Sequence, residues 1–343
     1  MSEFHRPFHS EAGNQQRIIA DKKPFHLPEL SLYITDSCAL SCSGCISFNN
    51  YALGSHLELD DLVEQRLRAW ANSVSVDRLY VIGGEPLSHP GLDRWMAVAE
   101  QLWPTSRWTL CTNGRGLESQ SQAVALWLER GWDIEVSSHS REDFDTVQAW
   151  WQGLTDALAE PIAARRTRDQ YGVTDYWEDS EGRPVMQIGL RDRFHKPTHT
   201  VNAQGQLEWA KLTAPRTTHS LCGARNCTQL VNGVMYSCPV QATLPTLARK
   251  YEISGPAGEI ARVDTGYDPL KPRMSLSRWM ATLGQPKDQC RLCSWPRDMV
   301  ALGDPSAKKV KLARVSLDSL TKRLDSPASL VDDEHLPEPN SQA

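Results

Sequence analysis

An α/β protein built on a parallel sheet is predicted by three observations. Short apolar runs alternate with amphipathic helical stripes through the first half of the chain, each run ends in small or polar residues, and Gly, Pro or Asn-Gly closes the units. Successive strand-then-helix units put helices outside a parallel sheet, as a barrel or as an open doubly wound sheet. With 343 residues, 40% hydrophobic and 23% charged, the chain can bury such a core in one large domain or two ordinary ones.

The elements follow in order. The run LYIT at 32–35 reads as the first strand and leads directly into a group of cysteines. Val63, Leu67, Trp70 and Val74 then share one helical face, and LYVI at 79–82 is a buried-strand signal closed by Gly83 and Gly84. Leu92, Trp95, Met96, Ala99 and Leu102 form the next stripe, stopped by Pro104, before the strand WTLC at 108–111 that ends in Asn113-Gly114. Val124, Trp127 and Leu128 mark a third helix, and Trp132, Ile134 and Val136 alternate as a fourth strand. Ser140 with Asp143 resembles a capping box that opens a helix through Val147, Trp150 and Leu154. Trp70, Trp95, Trp127 and Trp150 are thereby read as core. Residues 156–184 are hydrophilic and give no periodic signal, 185–190 reads as a fifth strand, and 200–210 as a sixth strand or a hairpin around Gln204-Gly205. From about residue 216 cysteine, Gly and Pro replace periodicity, which is the pattern of a small domain held by a metal centre. The last twenty residues, rich in Pro, Ser and acid, read as disordered.

Composition narrows the function. No run approaches the roughly eighteen apolar residues of a membrane span, and the first thirty residues lack the apolar core of a secretion signal. A formal charge of −5 gives no global pull toward nucleic acid. The expected compartment is therefore the reducing cytoplasm, where nine cysteines, an odd number, point to metal or cluster ligation more than to disulfides. Cys38, Cys42 and Cys45 group near the start, and Cys222, Cys227, Cys238, Cys290 and Cys293 in the last third, so two soft-ligand sites are expected. Cys111 stands alone on a strand and reads as a small buried hydrophobe.

Cys38, Cys42 and Cys45 form a C-x3-C-x2-C group on one loop. Three thiolates there can hold three irons of a [4Fe-4S] cube and leave the fourth iron open, although a zinc site completed by a distant ligand fits the spacing too. Position adds weight, because functional loops of a parallel βα fold lie at the carboxyl ends of its strands. The second strand ends in Gly83-Gly84-Glu85-Pro86, the third in Thr112-Asn113-Gly114 and the fourth in Ser137-Ser138-His139.

In the order of these motifs, over roughly residues 30–215, the sequence resembles the radical S-adenosylmethionine (radical SAM) enzymes. The resemblance implies a partial (β/α)6 TIM-like barrel whose open iron is chelated by the methionine moiety of SAM. It implies that Gly83, Gly84 and Glu85 form the turn that meets the methionine amino group, and that Asn113, Ser137 and Arg191 face the ribose or carboxylate of SAM. Many members carry an aromatic residue before the third cysteine; here Gly44 stands in that place, with Phe48 the alternative adenine contact. His139, His195 and His199 read as hydrogen-bonding or surface histidines.

Cys222-x10-Gly233-x4-Cys238 followed by Cys290-x2-Cys293 is similar to the SPASM and twitch auxiliary-cluster domains of the same family and implies a second, auxiliary [4Fe-4S] cluster. Five thiols exceed the four a cube needs, so the choice between Cys222 and Cys227 stays open, with structural zinc as the competitor. The organisation read from the sequence is an N-terminal extension at 1–29, the barrel at 30–215, the small cysteine-rich domain at 216–303, and a basic helix with an acidic tail at 304–343. The resemblance implies reductive cleavage of SAM, with flavodoxin or ferredoxin as electron donor, and hydrogen abstraction from a small polar substrate: a sugar, amino acid or nucleotide derivative. A peptide maturase is disfavoured by the short segment before the barrel. Modification of a nucleic-acid base rests on the basic stretch at 307–323 alone, for which a solvated helix is the simpler reading. A zinc-stabilised binding module is the non-enzymatic alternative.

Overall fold

The computed structural model describes residues 23–156, 163–169, 172–191, 193–195, 199–293, 299–301, 309 and 311–315. The elements in chain order are β1 (Phe25–Tyr33), α1 (Asp61–Ser73), β2 (Val74–Ile82), α2 (Leu92–Leu102), β3 (Arg107–Thr112), α3 (Ser121–Glu129), β4 (Trp132–Ser138) and α4 (Arg141–Thr155). Then come β5 (Ala163–Asp169), β6 (Gly172–Glu178), β7 (Pro184–Arg191), β8 (Arg193–His195), β9 (His199–Val201), β10 (Leu207–Trp209), α5 (Pro215–Ser220), β11 (Gln229–Val231) and β12 (Val234–Tyr236). The last are α6 (Pro239–Lys250), α7 (Gly255–Arg262), α8 (Leu276–Met280) and β13 (Met299–Ala301).

Nine strands form the main sheet in the order β12-β11-β1-β2-β3-β4-β7-β6-β5. The six strands from β11 to β7 run parallel, β12 is antiparallel to β11, and β6 is antiparallel to both of its neighbours, β7 and β5. The parallel sheet with helices against one face is the expected α/β class. The fifth parallel strand, β7, is the one read at 185–190. Of the two readings of 200–210 the hairpin holds: β9 and β10 pair around Gln204-Gly205, and the sixth parallel strand is β11, which pairs with β1 on the other side of the sheet. The sheet thus continues through residue 236, past the boundary read at 215, and β1 starts at Phe25, inside the segment read as an N-terminal extension. Residues 163–178, which gave no periodic signal, are the β5–β6 hairpin.

The alternation of the strands explains their two faces. Leu30 and Leu32 of β1, Leu79 and Val81 of β2, Leu110 of β3, Ile134 and Val136 of β4, and Met186 and Ile188 of β7 belong to one core with Trp70, Trp95, Trp127 and Trp151 of the helices. Asp60 caps α1 by accepting from Val63 N at 2.8 Å, and Ser140 caps α4 by accepting from Asp143 N at 3.0 Å. In α4 the apolar stripe is Phe144, Val147 and Trp151, so Trp151 fills the place read for Trp150. The Trp150 indole lies at the edge of the core and donates to Ser121 Oγ at 2.9 Å.

The opposite face of the sheet is polar. In register across β3, β4, β7, β6 and β5, Cys111, Glu135, Gln187, Tyr176 and Arg165 stand in one row, and Ser137, Gly189 and Thr174 in the next. Cys111 is therefore not a member of the hydrophobic core: it shares its face with Thr109 and Glu135, away from Leu110. Among the described residues no helix is long and apolar enough to cross a membrane.

Candidate functional site

The cysteine loop is built against the carboxyl end of the sheet. After β1 the chain turns over β2, where Gly84 N donates to Thr35 O at 2.6 Å and Glu85 N to Ser37 O at 2.7 Å. Two glycines are needed because the backbones touch. A Cβ on Gly83 would sit 2.7 Å from Thr35 O, and one on Gly84 would sit 2.3 Å from Ser37 O. The turn read as a ligand-binding glycine motif is thus first the seat of the loop that carries Cys38.

Cys38, Cys42 and Cys45 come together around Leu40. Burial pushes all three thiols up, Cys42 to about 12, and the neighbouring thiols add to the shift at Cys38 and Cys42. Backbone donors oppose it: Leu40 N lies 3.4 Å from Cys38 Sγ, and the N–H groups of Ser47, Asn49 and Asn50 donate to Cys45. The last two donors come from a single 3-10 turn, Asn49–Tyr51, flanked by Phe48 and Ala52 with φ of 55° and 53°. A left-handed Phe is a strained position, and here the strain wraps the turn about the Cys45 sulfur. The Phe48 ring is 1% exposed and packs in a second core with Tyr51, Leu53, Trp209 and Leu247. This burial removes Phe48 from the adenine-facing place read for it. The C-terminal region holds the turn from behind, for Lys250 Nζ donates to Ala52 O and Leu53 O at 2.8 and 2.7 Å, and Lys309 Nζ to Asn49 O at 2.9 Å.

Glu85 ties three strand ends together. Its Oε1 accepts from Thr112 Oγ1 at 2.7 Å and Leu87 N at 3.0 Å, and its Oε2 from Asn113 N at 2.7 Å. Burial raises its pKa to about 7 against these donors. Its side chain is therefore committed to holding the third-strand turn beside the cysteine loop. That turn aims Asn113 Nδ2 at Cys38 Sγ, 3.9 Å away. Ser137 lies opposite Gly189 across β4 and β7, and a Cβ on Gly189 would be 2.9 Å from Arg191 Nε, so Ser137 and Arg191 are neighbours at the same end of the sheet. His139 follows them; burial lowers its pKa to about 4 and keeps it neutral at physiological pH. His199 bonds to the Tyr51 hydroxyl among the rings of Phe48, Tyr51 and Trp209, as a hydrogen-bonding core histidine. The side chain of His195 lies outside the described residues.

Sequence reading missed the support around this site. The Tyr33 hydroxyl lies 2.8 Å from Asp36 Oδ1 and 3.1 Å from Asn49 Oδ1, bracing both ends of the loop. Arg115 pairs with Asp143 at 2.8 and 3.0 Å just beyond the third-strand turn. Deeper on the polar face, Arg78 bonds to Thr109 Oγ1 at 2.8 Å and to Asp133 Oδ1 at 3.0 Å. Glu135 stands between Cys111 and Gln187 with the pKa of its carboxyl raised by burial, while Gln187 is buried and its Nε2 has no hydrogen-bond partner among the described residues. The signal for this row was the period of two in the strands.

A second cavity, of about 90 Å³, lies in the C-terminal region. Cys222, Cys238, Cys290 and Cys293 line it; Cys227 does not. Cys238 is the residue before α6, whose Val240 and Gln241 N–H groups donate to its sulfur, and Pro239 takes the first helical position. Ala224 N lies 3.3 Å from Cys222 Sγ and Lys287 N 3.5 Å from Cys290 Sγ. Ile46, next to Cys45, also lines this cavity, so the two thiol groups share a wall. Among the described residues no three Cys, His, Asp or Glu side chains meet closely enough to hold a single metal ion.

No family model matches the chain. Among curated proteins, it is 31% identical over 142 residues to a GTP 3',8-cyclase of Mycobacterium marinum, covering 40% of this chain and 38% of that protein. It is 28% identical over 151 residues to GTP 3',8-cyclase 2 of Mycobacterium tuberculosis, covering 43% and 40%. The chain thus spans about two fifths of the length of the curated relatives it matches. Among solved structures, BtrN in complex with AdoMet and 2-DOIA aligns over 84% of this chain and 98% of its own, at 13% identity and a TM-score of 0.41. The anSMEcpe structure with bound AdoMet and Cp18Cys peptide aligns over 38% and 41%, at 15% identity and a TM-score of 0.30.

Proposed function

We propose that the chain is a radical SAM enzyme in which Cys38, Cys42 and Cys45 hold a [4Fe-4S] cluster with one iron left for SAM. The observation that carries this reading is the meeting of three thiols, the Gly83-Gly84-Glu85 turn and Asn113 at one end of a parallel sheet. The donor set fits a cube. Each iron takes one thiolate, so the sulfurs need not converge on a point, and backbone N–H groups stabilise the sulfur charge that replaces each proton on metal binding. A cluster held there would supply one electron for breaking the S–C5' bond of the SAM sulfonium, so that methionine leaves and the adenosyl carbon takes a hydrogen atom from substrate.

The chain's own residues have separate tasks. Glu85 and the paired glycines fix the loop against the sheet, and Asn113 donates toward Cys38. The backbone of the Gly83-Gly84 turn meets the methionine end of SAM, with Ser137 and Arg191 as polar groups for its carboxylate or ribose. The substrate is a small polar molecule held on the inner row of Cys111, Glu135, Gln187 and Tyr176, where a buried carboxyl and an unpartnered amide can each bond a hydroxyl or amine. The curated relatives named for action on GTP support a nucleotide among the sugar, amino acid and nucleotide candidates. Cys222, Cys238, Cys290 and Cys293 hold an auxiliary [4Fe-4S] cluster, with Cys227 outside it, and flavodoxin or ferredoxin supplies the electron.

Anaerobically reconstituted protein should contain about eight iron and eight sulfide per chain, and should release 5'-deoxyadenosine with SAM and dithionite. Cys42→Ala should abolish that release. Zinc at the first site, or release undiminished in the variant, would overturn the reading.

A further inference from the structure

We propose that Lys309, carried in by the C-terminal segment, is an electrostatic positioning residue for the first cluster, making it easier to reduce. The proposal rests on the function argued above and concerns residues outside the cysteine loop. Residues 311–315, within the stretch read as a basic helix, are not helical, and the rest of 307–323 apart from Lys309 lies outside the described residues. Ala313 N donates to Gly205 O at 2.7 Å, Glu252 N to Ala313 O at 2.9 Å, and Arg314 bridges to Tyr251. This docking brings Lys309 to the cysteine loop, 260 positions away from its hydrogen-bond partner Asn49.

The contact falls on one particular peptide. Lys309 Nζ donates to Asn49 O at 2.9 Å, and the N–H of that same peptide unit, on Asn50, donates to Cys45 Sγ. A cation at the carbonyl end polarises the peptide and strengthens its N–H donor toward the sulfur, as hydrogen bonds in a chain reinforce one another. One-electron reduction of a cluster adds one negative charge and breaks no bond. A nearby cation and a stronger hydrogen bond to a ligand sulfur both favour that change.

The test is an anaerobic redox titration of the reconstituted full chain with dithionite, following the electron-spin signal that SAM perturbs, in wild type and in Lys309→Met, Lys309→Gln and Lys309→Arg. Iron content should be equal in all four. The Met and Gln variants should lose at least tenfold in the reduction equilibrium, about 59 mV for one electron, while Arg stays within about twofold of wild type. Lys309→Gln keeps a donor for Asn49 O and loses the charge. If it titrated like wild type, Lys309 would only be holding the turn and the proposal would fail. An unchanged potential with weaker SAM binding would also overturn it, by making Lys309 a ligand of SAM. Wild-type protein without iron would instead refute the proposed function, and this inference with it.

Discussion

Gly84→Ala tests the seat of the cysteine loop. The added methyl would lie 2.3 Å from Ser37 O, 2.7 Å from Ser37 C and 3.0 Å from Cys38 Cβ. Ordinary contact starts near 3.4 Å, so the loop must withdraw by about 1 Å. That displacement stretches the bonds from Glu85 N to Ser37 O and from Gly84 N to Thr35 O, each worth about 1 kcal/mol. Residual crowding adds roughly another 1 kcal/mol or more, for a total of about 3 kcal/mol. In a chain of this size the loss should lower Tm by about 4 °C, and it should reduce iron uptake at the first site because Cys38 moves with Ser37. Gly153→Ala is the control. Gly153 lies within α4 with nothing within 4 Å of the new methyl, so the change should stabilise the protein by about 0.5–1 kcal/mol. Thermal unfolding of the iron-free chain and iron content after reconstitution read both effects. Gly84→Ala protein with wild-type Tm and full iron would refute the close apposition of loop and turn.

Three further outcomes follow from the same geometry. Because burial lifts Glu85 from 4.5 to about 7, the folded chain binds extra proton between these values. Its contribution to stability is complete below about pH 4.5 and declines by something on the order of 3 kcal/mol as pH rises through 7. Urea unfolding of iron-free Glu85→Gln at pH 5 and pH 8 should show a smaller decline than wild type, and an equal decline would count against the buried carboxyl. Cys222→Ser should cost about four iron per chain while Cys227→Ser keeps them, since only Cys222 lines the C-terminal cavity; the reverse pattern would reassign the fourth ligand. Glu135→Gln should raise Tm at pH 8, because burial disfavours the charged carboxyl, and an unchanged or lower Tm would mean that this carboxylate is already compensated.

The sequence made the strand ends legible because each βα unit repeats one pattern, and four of the parallel strands carry their polar residues at the end where the cysteines lie. Local periodicity says less about which face a residue takes when the run is short. WTLC reads as one short strand with no clear face, yet the period of two sets Thr109 with Cys111 and Trp108 with Leu110, so the thiol joins Glu135 on the polar face. The β5–β6 hairpin was hidden for a related reason. Its strand AARRTRD has exposed arginines at 165, 166 and 168, and it is held by pairing to β6 and by ion pairs from Arg165 to Glu178 and Arg166 to Asp175, with no apolar stripe to announce it. Contacts distant in sequence were out of reach altogether. The second cysteine group read as a separate domain because its own sequence lacks a core, but β11 completes the main sheet beside β1 and Ile46 walls the second cavity. The two thiol sites are thus parts of one packed body. A mechanical coupling follows: displacing the 45–53 turn perturbs the wall of the C-terminal cavity at Ile46 and the contacts of Lys250 and Lys309 together.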